Sequence, residues 1–262
     1  MTYLRKTKEI SFRARTNILK IVHSAKGGHV GGSLSVVDIL ASCYAQAEDI
    51  PFELILSKGH CILAWVCVLH EIGMISQDML DSYYTNGSTF GGHPKKGTVP
   101  EITWGTGSLG HGLSVSCGKA LANPNKRYIC ILGDGETNEG SIWEGLMFLS
   151  QHQISNVTTI IDNNAQESLD LTDNILSIEN IEHRLSGFNL SVKRIDGHNI
   201  ADLVDSVNDA LKGMTGPPKV IIADTIKGKG VSFMERDPKW HHRKLTDQEL
   251  NIALAELSNN YL

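Results

Sequence analysis

Two short stretches carry the residues whose chemistry stands out. Gly133-Asp134-Gly135 ends the apolar run RYICIL, and Asn164 ends the β-branched run VTTIIDNN about thirty residues on. Apolar runs that stop at glycine or asparagine read as strand ends, with a helix expected just past the first. If both strands belong to one parallel sheet, neighbouring ends lie about 4.8 Å apart. A carboxylate and an amide oxygen then converge on one point. Such oxygen donors favour Mg²⁺ or Ca²⁺ over zinc. Mg²⁺ held by few protein ligands also binds phosphates. A helix N-terminus adds roughly half a positive charge, and glycines admit a close backbone approach. The combination suits a diphosphate. A plain turn after a strand would explain Gly-Asp-Gly alone but not the asparagine at this spacing.

Histidines supply the second theme. His29, His60 and His93 adjoin glycine-rich segments, in KGGHVGGSLS, LSKGH and GGHP. Imidazole exchanges protons near neutral pH and serves as a general acid or base. His23, His70, His152 and His183 occupy helical or unremarkable contexts and read as loop or capping residues.

The elements that must position these residues follow from periodicity. Ile10, Ala14, Ile18, Ile21, Val22 and Ala25 form one face of a helix over 9–25. A second helix is expected from Ser35 to Ala45, and a buried one over 61–72, after the short strand LILSKGH. Residues 85–112 are glycine-rich and irregular, and a loop of that length is usually functional. Ser141-x-x-Glu144 and Thr246-x-x-Glu249 read as capping boxes opening helices. LSVKRIDG is a weak strand and KVIIADTIKG a strong one. Between them Ile200, Leu203, Val204, Val207 and Leu211 make a helical stripe ending at Gly213. Helices alternating with apolar strands imply an α/β fold with a mainly parallel sheet covered on both faces. Ligands of such sheets bind beyond the carboxyl ends of the strands, which here carry GDG, DNN and KGKG. One domain over 1–262 is expected.

Bulk properties narrow the classes. The 262 residues are 41% hydrophobic and 20% charged, with a net charge of −5. This is ordinary for a globular chain, and the absence of a basic stripe argues against nucleic acid. No stretch is apolar enough to cross a bilayer or to act as a secretory signal. Five cysteines without a C-x-x-C pair fit a reduced cytoplasm better than a disulfide framework or a zinc site.

The series GDGETNEG…DNNAQ resembles the thiamine diphosphate-binding motif. KGGHVGGSLSVVDIL, LSKGH, GGHP, GTGSLGHG, DGHN and TIKGKGVSFME follow in the order of the N-terminal, diphosphate-binding part of transketolases. The resemblance spans nearly the whole chain and is to the form divided between two polypeptides. It implies that Asp134, Asn164 and the Gln166 carbonyl bind Mg²⁺, with Ca²⁺ or Mn²⁺ as substitutes. Gly135 and His60 would touch the diphosphate, and Gly107, Ser108 and Leu109 would line the cofactor. His29, His93 and His241 would face the reacting carbons, and Glu139 would lie where two cofactor sites meet. Three positions depart from the family pattern: Lys95 stands where an acid is common, His111 where glutamine is common, and His242 where glycine follows the last histidine. The resemblance implies transfer of a two-carbon ketol unit between sugar phosphates. It also implies a C-terminal partner chain carrying the pyrimidine-binding domain, since the chain stops at Leu262, and an assembly with two copies of each chain. Two alternatives stand beside this: a related enzyme of a dedicated pathway acting on an unusual ketose or α-keto acid, and a non-catalytic Mg²⁺–diphosphate-binding or regulatory subunit.

Overall fold

The apolar periodicities described above are realised as layers of helix, sheet and helix. The computed structural model describes residues 2–261, so Leu262 lies outside the described residues. In chain order the elements are α1 (Tyr3–Ser24), α2 (Val30–Tyr44), β1 (Glu53–Leu56), α3 (Ile62–Glu71), α4 (Gln77–Asp81), α5 (Gly112–Ala122), β2 (Tyr128–Gly133), α6 (Gly140–Gln151), β3 (Val157–Asn163), α7 (Thr172–Ile175), α8 (Ile181–Leu185), β4 (Ser191–Asp196), α9 (Ile200–Lys212), β5 (Lys219–Asp224) and α10 (Asp247–Tyr261). Among the described residues the sheet has five strands in the order β1-β2-β3-β5-β4. Every pairing is parallel.

Alternation along each strand divides the core between the two faces of the sheet. Ile129 and Ile131 join Ile160 and Ile221 on the face covered by α1, α2, α3, α9 and α10. Tyr128, Cys130 and Leu132 join Ile161 and Ile222 on the face covered by α5, α6 and α8. All five cysteines are free and buried. β4 lies at one edge of the sheet and is largely exposed, which is why its sequence signal is weak. No helix is long and apolar enough to cross a membrane.

Two expectations are corrected. α2 begins at Val30 rather than Ser35, so Gly31 and Gly32 lie inside the helix and not in a loop. The reason is a close approach: a Cβ on Gly31 would sit 2.8 Å from the Trp240 carbonyl oxygen. Ser141-x-x-Glu144 is not a capping box. A 3-10 turn, Gly135–Asn138, intervenes after β2, and Glu139 takes the N-cap position of α6 without a side-chain cap bond. Ser141 Oγ instead donates to the Gly110 carbonyl at 3.0 Å. The Thr246–Glu249 box does form, with Glu249 N–H donating to Thr246 Oγ1 at 3.2 Å and Thr246 N–H to Glu249 Oε2 at 2.8 Å.

A buried ion cluster ties the first helices to the far side of the sheet. Arg15 grips Asp38 with two bonds, at 2.6 and 2.7 Å. His198 donates from Nδ1 to Asp38 at 2.8 Å, and its Nε2 accepts the Ile226 N–H at 2.8 Å. Burial alone would raise the Asp38 carboxyl. The Arg15 guanidinium, helped by His198, holds it well below the usual carboxylate range. Asp38→Ala would remove the carboxylate that neutralises the buried Arg15 guanidinium, and breaking a buried ion pair costs about 3–5 kcal/mol. Urea unfolding of the variant is expected to show a loss of that size, and a loss under about 1 kcal/mol would contradict it.

Candidate active site

The carboxyl ends of β1, β2, β3 and β5 open into a cavity of about 360 Å³. Its lining includes Lys58, His60, Gly107, Leu109, Asp134, Gly135, Glu139, Asn164, Gln166, Lys227 and His241. Most of the residues singled out from the sequence are therefore brought to one place. Ser108 instead lines an adjoining hollow with Trp104 and His111, and Gly107 belongs to both. His29 and His93 reach the site through their neighbours. The His29 ring lies 5.4 Å from His60, 5.2 Å from His241 and 5.8 Å from His93. A Cβ on Gly107 would meet the His93 ring at 3.3 Å.

The floor of the cavity is an oxygen cluster. Asp134 is buried, and its two carboxylate oxygens accept the Gly135 and Ala165 N–H groups at 2.8 and 2.5 Å. Asn164 is also buried, and its amide oxygen accepts the Gln166 N–H at 3.2 Å. An antiparallel bridge between Gln166 and Leu171 folds the connection back on itself. Burial pushes the Asp134 carboxyl up to about 6, partly opposed by Lys58. A buried carboxylate in that condition calls for a cation. One carboxylate, one amide oxygen and one carbonyl fit a hard divalent ion. Among the described residues no three His, Cys, Asp or Glu side chains form a metal cluster. The donors present, a carboxylate, an amide oxygen and a carbonyl, are of the type the metal–diphosphate set expected from the sequence requires.

Three contributors escaped the sequence reading. Lys227, from the KGKG that follows β5, donates to the Gln166 and Glu167 carbonyls at 3.3 and 2.8 Å. Burial and the nearby Lys58 push its ammonium down to about 8. Lys58 bonds Asp162 beneath the site, and that carboxylate outweighs burial to hold the ammonium above its ordinary value. Glu136 accepts from Ser57 Oγ, from Gly110 N–H at 2.9 Å and from Gly133 N–H at 3.1 Å, fastening the glycine-rich loop to the strand ends. The only local signal for the two lysines was that each adjoins glycine at a strand end. Glu136 gave none.

The opposite wall is imidazole. Burial lowers His29 to about 4, with His242, His93 and Lys227 adding to it. His241 is lowered to about 3 by burial and then Lys227. His60 falls well below its ordinary value through burial and Lys58, and His93 falls through burial. At neutral pH these rings are uncharged, so each has one donor and one acceptor nitrogen. Among the described residues Nδ1 of His29 and Nδ1 of His241 are buried without a hydrogen-bond partner. Buried polar atoms are rarely left so, and the two belong to rings 5.2 Å apart, of which His241 lines the cavity.

Comparison with known proteins shows the family. Residues 7–260 match the family model described as transketolase, thiamine diphosphate binding domain. The chain belongs to the transketolase family. It is 36% identical to one of the subunits of an apulose-4-phosphate transketolase from Actinobacillus succinogenes, over 96% of each chain. It is also 36% identical to a 6-deoxy-6-sulfo-D-fructose transketolase subunit of a Clostridium species, over 88% of each. The fold agrees: transketolase from Leishmania mexicana superposes with a TM-score of 0.86 at 21% identity. That match covers 96% of this chain and 41% of the Leishmania protein, so the chain spans well under half of the solved transketolase.

Proposed function

We propose that this chain is the cofactor-binding subunit of a two-chain transketolase that moves a two-carbon ketol unit from a ketose phosphate to an aldose phosphate. The observation that carries the reading is that one cavity joins an oxygen cluster suited to a metal–diphosphate to the uncharged rings of His60 and His241, with His29 packed against both. Asp134, Asn164 and the Gln166 carbonyl would hold Mg²⁺, and His60 and Gly135 would contact the diphosphate. Bound thiamine diphosphate supplies the electron sink needed to break a carbon–carbon bond beside a carbonyl. His29, His93 and His241 would hold and move the hydroxyl protons of the sugar. The unpartnered Nδ1 atoms of His29 and His241 are the sites left free for this.

A second reading concerns the substrate. Both subunit relatives are named for uncommon ketoses, and Lys95, His111 and His242 depart from the usual pattern. These observations favour a dedicated pathway with an unusual ketose. The intact oxygen cluster and histidine wall argue against a non-catalytic subunit.

The roles separate by mutation. His29→Ala and His93→Ala are expected to retain cofactor affinity while turnover of the partnered enzyme falls about 10²–10⁴-fold. His60→Ala is expected to weaken cofactor binding. Calorimetric titration alongside a ketol-transfer assay reads both quantities. One common defect in all three variants would contradict this division of roles.

A further inference from the structure

The histidine wall has an outer member that the proposed chemistry leaves without a task. His242 is exposed, and its ring meets the edge of His29 at 4.7 Å and 78°. Among the described residues it has no hydrogen-bond partner. The backbone on both sides of it is nevertheless fixed. The His241 N–H donates to the Pro238 carbonyl at 2.9 Å, and the Arg243 N–H donates to the Gly28 carbonyl at 3.2 Å. Trp240 is buried, and the Arg243 guanidinium lies 4.7 Å above its ring. The ring is thus held beside His29 with its polar atoms unclaimed by the described residues.

Its position indicates what that is. His60 and His241 line the cavity, His29 packs against both, and His242 lies beyond His29 on the solvent side. A sugar whose reacting carbon faces His29 and whose remaining carbons run toward solvent would pass beside His242. The family pattern usually places glycine here, which offers neither bulk nor a polar atom. An imidazole narrows the passage and adds a donor and an acceptor.

We propose that His242 is a specificity residue that hydrogen-bonds a hydroxyl of the substrate beyond the bond that is made or broken, so that longer polyhydroxylated aldehydes are preferred over short ones. The assignment rests on the transketolase reading of the same site. A site built to bond a hydroxyl rejects analogues that lack it, because its own polar group is then left unpaired.

The experiment uses the chain assembled with its partner subunit, thiamine diphosphate and Mg²⁺. Two acceptors are compared: glycolaldehyde, which ends before His242, and erythrose 4-phosphate, which passes it. In His242→Gly the preference for the longer acceptor, as a ratio of kcat/KM values, is expected to fall about tenfold or more, through KM rather than kcat. His242→Asn keeps a donor and an acceptor and is expected to recover part of that preference. Calorimetric affinity for thiamine diphosphate is expected to match the parent in both variants. An equal loss on both acceptors, a weakened cofactor affinity, or an unchanged preference would each overturn the assignment. Absence of transfer to either acceptor by the unaltered complex would overturn the proposed function, and this assignment with it.

Discussion

Asp134→Asn is expected to lower affinity for Mg²⁺–thiamine diphosphate by at least about tenfold with the fold intact, because a charged ligand contact is worth about 1.5–3 kcal/mol. The same variant has a signature in the chain without cofactor. Burial raises the Asp134 carboxyl to about 6, above its unfolded value. The folded state therefore binds the proton more tightly. Its contribution to stability is full below the unfolded value near pH 4 and is lost as pH rises through about 6. The histidines act with the opposite sign. His29 and His241 are lowered to about 4 and about 3, so their contribution is full above about 6.5 and is lost as pH falls toward those values. The two trends oppose each other over one pH range, so the raw stability curve cannot isolate Asp134. The difference between parent and Asp134→Asn can. In the absence of metal, parent minus variant is expected to decline between about pH 4 and pH 7, by about 2–3 kcal/mol. With Mg²⁺ and thiamine diphosphate present the sign reverses above pH 6, since a metal ligand must be deprotonated to bind. Denaturant melts at several pH values, paired with calorimetry, measure both effects. An unchanged cofactor affinity would remove Asp134 from the metal site.

This carboxylate also shows what a sequence can carry. Asp134 and Asn164 were legible because each stands at the end of an apolar strand, and strand ends in a parallel sheet converge by geometry. The strong strands and the α9 stripe were legible for the same reason, since burial imposes a period on a local stretch. The start of α2 was misread because glycines signal a loop locally, whereas Gly31 is required by the Trp240 carbonyl, far away in sequence. The short helices α4, α7 and α8 span at most five residues, too few to display a period. Lys227, Glu136 and the Arg15–Asp38–His198 cluster went unseen because their partners lie on other elements, and no local pattern records such a pairing. His242 is the intermediate case. Its departure from the family pattern was visible, but its contact with His29 required the fold.

The largest expected effect is that the chain alone carries out no measurable ketol transfer, and that a C-terminal transketolase partner restores it. The loop carrying the proposed metal ligands supplies the physical reason. Between Asn164 and Thr172 the backbone doubles back, with Glu167 N–H donating to the Asp170 carbonyl at 2.9 Å and Thr172 N–H to the Ala165 carbonyl at 3.1 Å. Gln166 and Ser168 from this loop line the cavity, while Leu169 at its tip is 84% exposed. Leu171, Ile175 and Leu176 just beyond are exposed as well. Exposed apolar side chains this close in sequence suit a contact surface. A partner chain seated on them would press the loop that carries the proposed metal ligands into place, so assembly and cofactor affinity should rise together. Any ligand that binds only the assembled state must stabilise it by the same linkage. The chain matches 41% of the length of the Leishmania transketolase, and two relatives that it covers along most of their length are named as subunits. Both facts support the two-chain proposal. Co-expression with a C-terminal transketolase chain is expected to give a two-fold symmetric assembly with two copies of each, and turnover about 10³-fold or more above the chain alone. Leu169→Glu is expected to weaken that assembly and, with it, cofactor affinity, while the isolated chain melts as before. Size-exclusion chromatography, calorimetry and a ketose-to-aldose assay read the three outcomes. Robust turnover by the isolated chain would refute the two-chain reading. Full assembly of the Leu169 variant would move the contact surface away from this loop.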